Sequence, residues 1–148
     1  MSFQAYEAYL ESKILSADPV ELIRILYQAA LEAVHTARRC LQAGDVLGRS
    51  REISRAHAIL TELALSINHE AGGSLSRMLA ELYDYMQRRL LEAHLQQSEA
   101  PLVEVANLLS TLLEGWRNCH PESEPVEARV HTAYLEPATE YAAQSWSG

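Results

Sequence analysis

Apolar residues recur every third or fourth position along four stretches of the chain, and this spacing predicts four amphipathic helices. The first stretch begins at Asp18 and Pro19. An Asp side chain can cap the free N–H groups of a first turn, and proline suits the first helical position because its missing N–H is not needed there. Gly44 ends this stretch, since glycine readily adopts the left-handed conformation of a C-cap. The apolar stripe consists of Leu22, Ile23, Leu26, Ala30, Val34, Ala37 and Leu41.

Glycine, proline and short polar side chains divide the rest of the chain into three further helices. Asp45–Gly48 is predicted to form a turn, and the second helix to end at Asn68–His69. Ser74 is predicted to cap the third helix after Gly72–Gly73, and Pro101 to open the fourth. The predicted inner faces are Ile53, Ala56, Ile59, Leu60, Leu63 and Ile67; then Leu75, Leu79, Leu82, Met86, Leu90 and Ala93, flanked by Tyr83 and Tyr85; then Leu102, Val105, Ala106, Leu109, Leu112, Leu113 and Trp116.

Helices of roughly 20 residues joined by short connections predict an all-α fold, an antiparallel up-down four-helix bundle over residues 19–119. Residues 1–18 form an N-terminal extension too short and mixed to fold alone, and we expect it to act as a displaceable cover over a groove. Prolines and glutamates in residues 120–148 predict an irregular acidic tail that is dispensable for folding. Tyr134, Leu135 or Trp146 of this tail are expected to cover part of a binding surface.

Composition and charge narrow the function. The chain has 148 residues with 48% apolar composition and a net charge of −8, which disfavours nucleic acid because such binding needs a basic stripe. No apolar run approaches the roughly 18 residues that indicate a membrane span, so no membrane insertion is predicted. The N-terminus lacks the pattern of a secretory signal, and Cys40 and Cys119 have no CxxC spacing. These features favour a cytoplasmic location.

The sequence contains no pattern that predicts catalysis or a bound cofactor. Glu32 and His35 have the Glu-x-x-His spacing of a di-iron bundle, but such a site needs a second copy and two further inward glutamates. Cys119–His120 lacks the second cysteine of a haem attachment motif, because Trp116 occupies that position. No nucleophile motif, P-loop or HExxH sequence is present. The sequence therefore predicts a protein that is not an enzyme, with no cofactor and no metal.

The helices carry more apolar residues than a narrow seam would bury, notably Ile14, Leu15, Ile25, Tyr27, Tyr83 and Tyr85. One interpretation is a wide core-facing stripe, as globular helices normally have. The other is a hydrophobic groove between helices that receives a partner's amphipathic helix.

Several motifs together resemble the FliS family of flagellin-specific export chaperones. The resemblance covers about residues 8 to 117. It rests on Tyr9, Ile14, Ala17-Asp18-Pro19, Leu22-Ile23 and Leu26-Tyr27, then Ala56, Ile59-Leu60 and Glu62-Leu63, Gly72-Gly73, Leu82-Tyr83-Asp84-Tyr85-Met86, Arg89-Leu90, Ala93, Glu104-Val105 and Trp116. Gln28-Ala29 and His94 depart from residues usual in that family.

The resemblance implies a bundle that binds the C-terminal segment of flagellin in the cytosol, prevents premature polymerisation and supports delivery to the flagellar type III export apparatus. Together with the apolar surplus it leads us to expect client contacts at Tyr9, Ile14, Leu15, Ile23, Tyr27, Tyr83 and Tyr85. Two alternatives stay open: a non-catalytic bundle that self-associates weakly through the same surface, and a bundle metal protein.

Overall fold

The computed structural model describes residues 3–16, 19–118 and 133–134, with all side chains in these ranges except those of residues 3, 10, 12–16 and 19. The described residues are helical apart from short connections, which confirms the predicted all-α class. The helices are α1 (Phe3–Ser16), α2 (Pro19–Ala43), α3 (Val46–Leu65), α4 (His69–Gln96) and α5 (Ala100–Arg117). The sequence pattern does not predict α1. The predicted cap at Asp18 lies outside the described residues.

The connection between α2 and α3 is shorter than the sequence predicts. Gly44 follows α2 with a φ of 74°, as expected for a C-cap glycine. The next residue, Asp45, already caps α3, because its Oδ1 accepts a 2.9 Å hydrogen bond from the N–H of Gly48. A Cβ at Gly48 would lie 2.3 Å from the Asp45 carboxylate, so only glycine fits beneath this cap. The predicted turn at Asp45–Gly48 is therefore wrong beyond its first residue.

The start of α4 also lies earlier than predicted. Asn68 caps it by accepting a 3.1 Å hydrogen bond from the N–H of Ala71. Gly73 then leaves the helical conformation, with φ 54° and ψ −125°, so α4 consists of one short turn followed by a long helix from Ser74. The predicted break at Gly72–Gly73 is thus confirmed as a kink, whereas the cap belongs to Asn68.

Each of the four long helices packs against two others. Helix α2 contacts α3 and α5, and α4 contacts α3 and α5. Arg38 of α2 pairs with Glu99 at the start of α5 (Nη2 to Oε1, 3.0 Å), whereas Arg24 donates to the carbonyl of Trp116 at its end (3.5 Å). Residue numbers therefore rise along α2 as they fall along α5, so these two helices run in opposite directions. The core between the helices is apolar and contains Ile23, Tyr27, Ala30, Val34, Ala37, Ile53, Ala56, Leu60, Leu63, Leu79, Tyr83, Met86, Leu90, Leu102, Val105, Leu109 and Trp116.

The inner face of α4 is confirmed at Leu79, Met86, Leu90 and Ala93 but differs from the prediction at Leu82 and Tyr83. Tyr83, placed at the flank by the sequence pattern, is fully buried in line with Leu79 and Met86. Leu82, which the pattern places inside, is only partly buried at the margin of the core. The prediction that Leu109 is buried is confirmed. Tyrosine is accepted in the core here because its hydroxyl finds partners on other elements.

One part of the C-terminal tail belongs to the core. Ala133 is fully buried and Tyr134 is 6% exposed, both in contact with the same apolar cluster as the helices. The carbonyl of Ala133 accepts a 2.7 Å hydrogen bond from the N–H of Asn68, between α3 and α4. The expectation that Tyr134 lies on a tail outside the core is therefore wrong. Leu135 and Trp146 lie outside the described residues.

Candidate binding surface

The N-terminal helix α1 is attached to α2 and α3 through Tyr6. The Tyr6 hydroxyl donates a 2.6 Å hydrogen bond to Oε2 of Glu32 on α2. The guanidinium of Arg55 on α3 lies 4.9 Å from the centroid of the Tyr6 ring, within the range of a cation–π contact. Partial burial and the bond to Glu32 raise the pKa of Tyr6, and Arg55 opposes this shift. A single side chain of α1 thus contacts both neighbouring helices.

Arg55 is positioned by its own helix. Its Nη1 lies 3.4 Å from Oε2 of Glu52, one turn earlier, and both side chains are more than four-fifths buried. Arg55 Nη2 is buried and has no hydrogen-bond partner. A guanidinium that retains an unpaired donor is suited to contact with the face of an aromatic ring, as Tyr6 provides.

An apolar cleft lies where α1 faces α2 and α3. Ile25 and Ala29 are buried, at 7% and 4% exposure, although they are not part of the main core cluster. The cleft has a volume of about 400 Å³, and among the described side chains of α1 it is lined by those of Glu7 and Glu11, which are acidic. The remaining lining residues are Ile25, Leu26, Ala29, Arg55, Ala58, Ile59 and Glu62. Its apolar floor is thus formed by α2 and α3 and its rim by charged residues.

A second feature is a cluster of buried tyrosines on the other side of α2. The hydroxyl of Tyr83 is hydrogen-bonded to those of both Tyr27 and Tyr134. The Tyr27 and Tyr83 ring centroids are 6.4 Å apart, and the Tyr134 ring lies 6.1 Å from Trp116. Burial raises the pKa of all three tyrosines, so their hydroxyls stay protonated and neutral throughout the physiological range.

Another cleft opens beside this cluster. Its volume is about 340 Å³, and it lies at the C-terminal end of α5, next to Tyr27 of α2. The lining consists of Tyr27, Thr111, Leu112, Glu114, Gly115, Trp116 and Asn118. The cleft thus reaches the buried aromatic residues from the surface.

Those residues expected to contact a client whose side chains are described do not form one surface. Ile23, Tyr27 and Tyr83 lie in the core. Tyr9 is 53% exposed on α1, and Tyr85 is 36% exposed on α4. The side chains of Ile14 and Leu15 lie outside the described set. For Tyr27 and Tyr83, the apolar surplus is thus explained by a wide core-facing stripe.

Sequence reasoning missed the residues that hold α1. Glu32 attracted attention only for its Glu-x-x-His spacing, yet its carboxylate accepts from Tyr6. Arg55 stands against the Tyr6 ring, although no sequence motif singles it out. Neither contact has a local sequence signal, because Tyr6 is 26 residues from Glu32 in the chain.

The described surface offers a cleft suited to binding a helix. Within the described ranges, histidine, cysteine and carboxylate side chains form no group of three that could hold a metal ion. In the same ranges, no helix combines the length and apolar character needed to cross a membrane. An apolar cleft with a charged rim, partly covered by a helix, is the geometry in which a partner's amphipathic helix can bind.

Comparison with known proteins identifies the family. The model of the family described as flagellar protein FliS matches residues 2–123. The chain belongs to the FliS family. The flagellar secretion chaperone FliS of Salmonella typhimurium is 38% identical to it over 81% of this chain and 90% of the relative. Proteins of the same name from Campylobacter jejuni and Bacillus subtilis are 32% and 28% identical, over 78% and 76% of this chain and 91% and 83% of each relative.

The residues matched by the family model include all five helices. The match extends from the start of α1 to a few residues beyond α5, so both clefts lie within the part matched by the FliS model. Tyr134 lies beyond the matched residues and still packs into the core of that part.

Proposed function

We propose that this chain is a flagellar secretion chaperone that binds the C-terminal segment of flagellin in the cytosol, prevents its premature polymerisation and supports its delivery to the flagellar type III export apparatus. Membership of the FliS family and the names of its relatives support this function. The structural observation that carries it is the apolar cleft between α2 and α3 beneath α1. Such a chaperone acts by binding alone and needs no catalytic group.

The scaffold we infer for this function is an antiparallel four-helix bundle over residues 19–119. The opposite directions of α2 and α5 support it. On α3 and α4, Arg49 lies against His94 (3.4 Å), and the side chain of Gln87 donates to the carbonyl of His57 (3.0 Å). Residue numbers therefore rise along α3 as they fall along α4. The opposite directions within these two helix pairs support the alternation that an up-down bundle requires.

Residues 1–18 serve, in this proposal, as a displaceable cover. The Tyr6 contacts are individually weak: a hydrogen bond near the surface contributes about 0.5–1.5 kcal/mol and an exposed cation–π contact about 0.5–1 kcal/mol. Ordering each backbone residue of α1 opposes docking by about 1–2 kcal/mol. A cover held with a small net free energy subtracts little from the affinity of a competing helix.

The client helix then takes the place of α1 over Ile25, Ala29 and Ile59. These side chains offer an apolar strip, and Arg55 and Glu62 at its margin can orient a helix that carries charged residues. Of the predicted client contacts whose side chains the structure describes, Tyr9 on α1 and Tyr85 on α4 are exposed. An unfolded client segment that becomes helical on binding can cover a large surface at the expense of its own ordering entropy.

Titration calorimetry with a flagellin C-terminal segment, combined with circular dichroism, tests this function. We expect 1:1 binding at micromolar or lower concentration and a gain of helix beyond the sum of the free components. The matched control is a segment of equal length from the N-terminal end of flagellin. No heat at micromolar concentration together with unchanged helicity would exclude the proposal. Metal analysis and sizing of the protein alone test the two alternative functions.

A further inference from the structure

Ala133 and Tyr134, which we call the plug, occupy a defined seat in the fold. The carbonyl of Ala133 accepts the 2.7 Å hydrogen bond from Asn68, and the Tyr134 ring packs against Trp116 at the end of α5. Gly72 makes room for this helical segment as well as for Ser76, since a Cβ there would lie 3.0 Å from the Cα of Ala133 and closer still to the Ser76 side chain. The seat therefore combines one main-chain hydrogen bond with one aromatic pocket.

The floor of this seat differs from the apolar core because it contains buried tyrosine hydroxyls. The hydroxyls of Tyr27, Tyr83 and Tyr134 are bonded in series, with Tyr83 in the middle. The indole of Trp116 adjoins the same series, since its side-chain hydrogen bond lowers the pKa of Tyr27. Tyr134 is thus held in its seat by one hydroxyl hydrogen bond and one ring contact.

The seat adjoins the open cleft at the end of α5. Tyr27 and Trp116 line that cleft, and the same Trp116 packs against Tyr134. A segment that enters the cleft therefore reaches the residues against which the plug is packed. Tyr83, expected from the sequence to contact a client, is buried and hydrogen-bonded to Tyr134.

We propose that the plug is a reversible internal ligand that competes with the flagellin segment for the aromatic residues Tyr27, Tyr83 and Trp116. This inference rests on the proposed function. It adds a second cover, separate from α1. The sixteen steps from Asn118 to Tyr134 allow the chain to extend by at most about 55 Å, so a displaced plug stays near its seat. A tethered competitor rebinds without concentration dependence once the client has left.

Peptide exchange tests whether the plug is displaceable. The probe is a fluorescently labelled peptide of residues 128–139 of this sequence, titrated by anisotropy into full-length wild type and full-length Tyr134→Ala. We expect the variant to bind at least tenfold more tightly, because its seat is empty, and a probe carrying the same Tyr→Ala change not to bind. Equal binding by both proteins, or binding by neither, would overturn the inference.

The client arm uses the flagellin C-terminal segment with the same proteins and measures association rates by stopped flow. Tyr134→Ala should associate at least threefold faster than wild type. Leu95→Ala, an exposed change on α4, should leave the rate unchanged. An unchanged rate for Tyr134→Ala contradicts competition with the client. If no protein binds flagellin, the proposed function fails and with it the competition, while peptide exchange still decides whether the plug is reversible.

Circular dichroism distinguishes exchange from unfolding. If Tyr134→Ala loses helix, Tyr134→Phe replaces it in both experiments, since it keeps the ring against Trp116 and removes only the hydroxyl bonded to Tyr83. For this variant we expect the same direction of change with a smaller amplitude. Wild-type behaviour of Tyr134→Phe in both assays, when Tyr134→Ala cannot be used, would overturn the inference.

Discussion

The hydroxyl of Tyr6 in α1 donates a 2.6 Å hydrogen bond to Oε2 of Glu32 in α2, which joins the N-terminal helix to the rest of the fold. Arg55 of α3 contacts the ring of the same tyrosine. One tyrosine therefore reports on whether the apolar strip at Ile25 and Ala29 is covered or open.

Tyr6→Phe should accelerate client association while leaving global stability nearly unchanged. The substitution removes a hydrogen bond worth about 0.5–1.5 kcal/mol and keeps the ring that Arg55 contacts. If α1 must leave before the client binds, the loss raises the fraction of open molecules by roughly two- to twelvefold. Stopped-flow association with the flagellin segment and urea denaturation measure the two quantities.

Glu32→Gln provides the reciprocal test, because it retains an acceptor of similar size and removes the charge that faces Tyr6. The expected acceleration has the same direction and a smaller size. Glu81→Gln removes an exposed charge on α4 and serves as the control for association through α1. Equal rates for wild type, Tyr6→Phe and Glu32→Gln would contradict a gating role for α1.

Leu109 and Leu82 form a matched pair for the packing of the core. Leu109→Ala should lower the free energy of unfolding by about 2–5 kcal/mol, because a fully buried leucine leaves a cavity. Leu82→Ala should be less costly, since this side chain is only partly buried. Chemical denaturation of both variants measures the difference. A larger loss for Leu82→Ala than for Leu109→Ala would place the inner face of α4 where the sequence pattern puts it.

Glu104 contributes a pH-dependent contact between α4 and α5. It accepts hydrogen bonds from Tyr85 (2.8 Å) and Arg89 (2.7 Å), and both bonds lower its pKa below the ordinary value of 4.5. A carboxyl whose pKa is lower in the folded state stabilises that state above its unfolded pKa and loses this contribution as pH falls through the folded value. The contact should therefore favour folding at neutral pH and vanish in acid.

Denaturation of wild type and Glu104→Gln at pH 7 and near pH 3 checks this sign. Wild type should be the more stable protein at pH 7, and the two should converge in acid. Glu81→Gln, an exposed change on α4, is the control for a general effect of net charge. A difference between wild type and Glu104→Gln that is as large in acid as at pH 7 would rule out the carboxylate as its source.

Much of the helical framework could be predicted from the sequence because its signals are local. Pro19, Gly44 and Pro101 mark the ends of helices through backbone conformations that depend on a few neighbouring residues. The resemblance to the family is also visible locally, in motifs such as Tyr83-Asp84-Tyr85-Met86. The sequence therefore shows where each motif lies in the chain, but it does not show which of the motif's side chains are exposed to solvent.

The tertiary structure alone decided which of these side chains are buried and what covers them. The spacing of apolar residues predicts Leu82 inside and Tyr83 at the flank. A tyrosine can be buried in a core only if its hydroxyl has a hydrogen-bond partner, and the spacing does not show whether one is present. That partner is supplied by Tyr27 and by Tyr134, which are 56 and 51 residues away in the chain. In the same way, α1 is held by Glu32 and Arg55, which only the packed helices bring together. Local backbone preferences determine where helices begin and end, whereas burial depends on long-range contacts that no periodicity records.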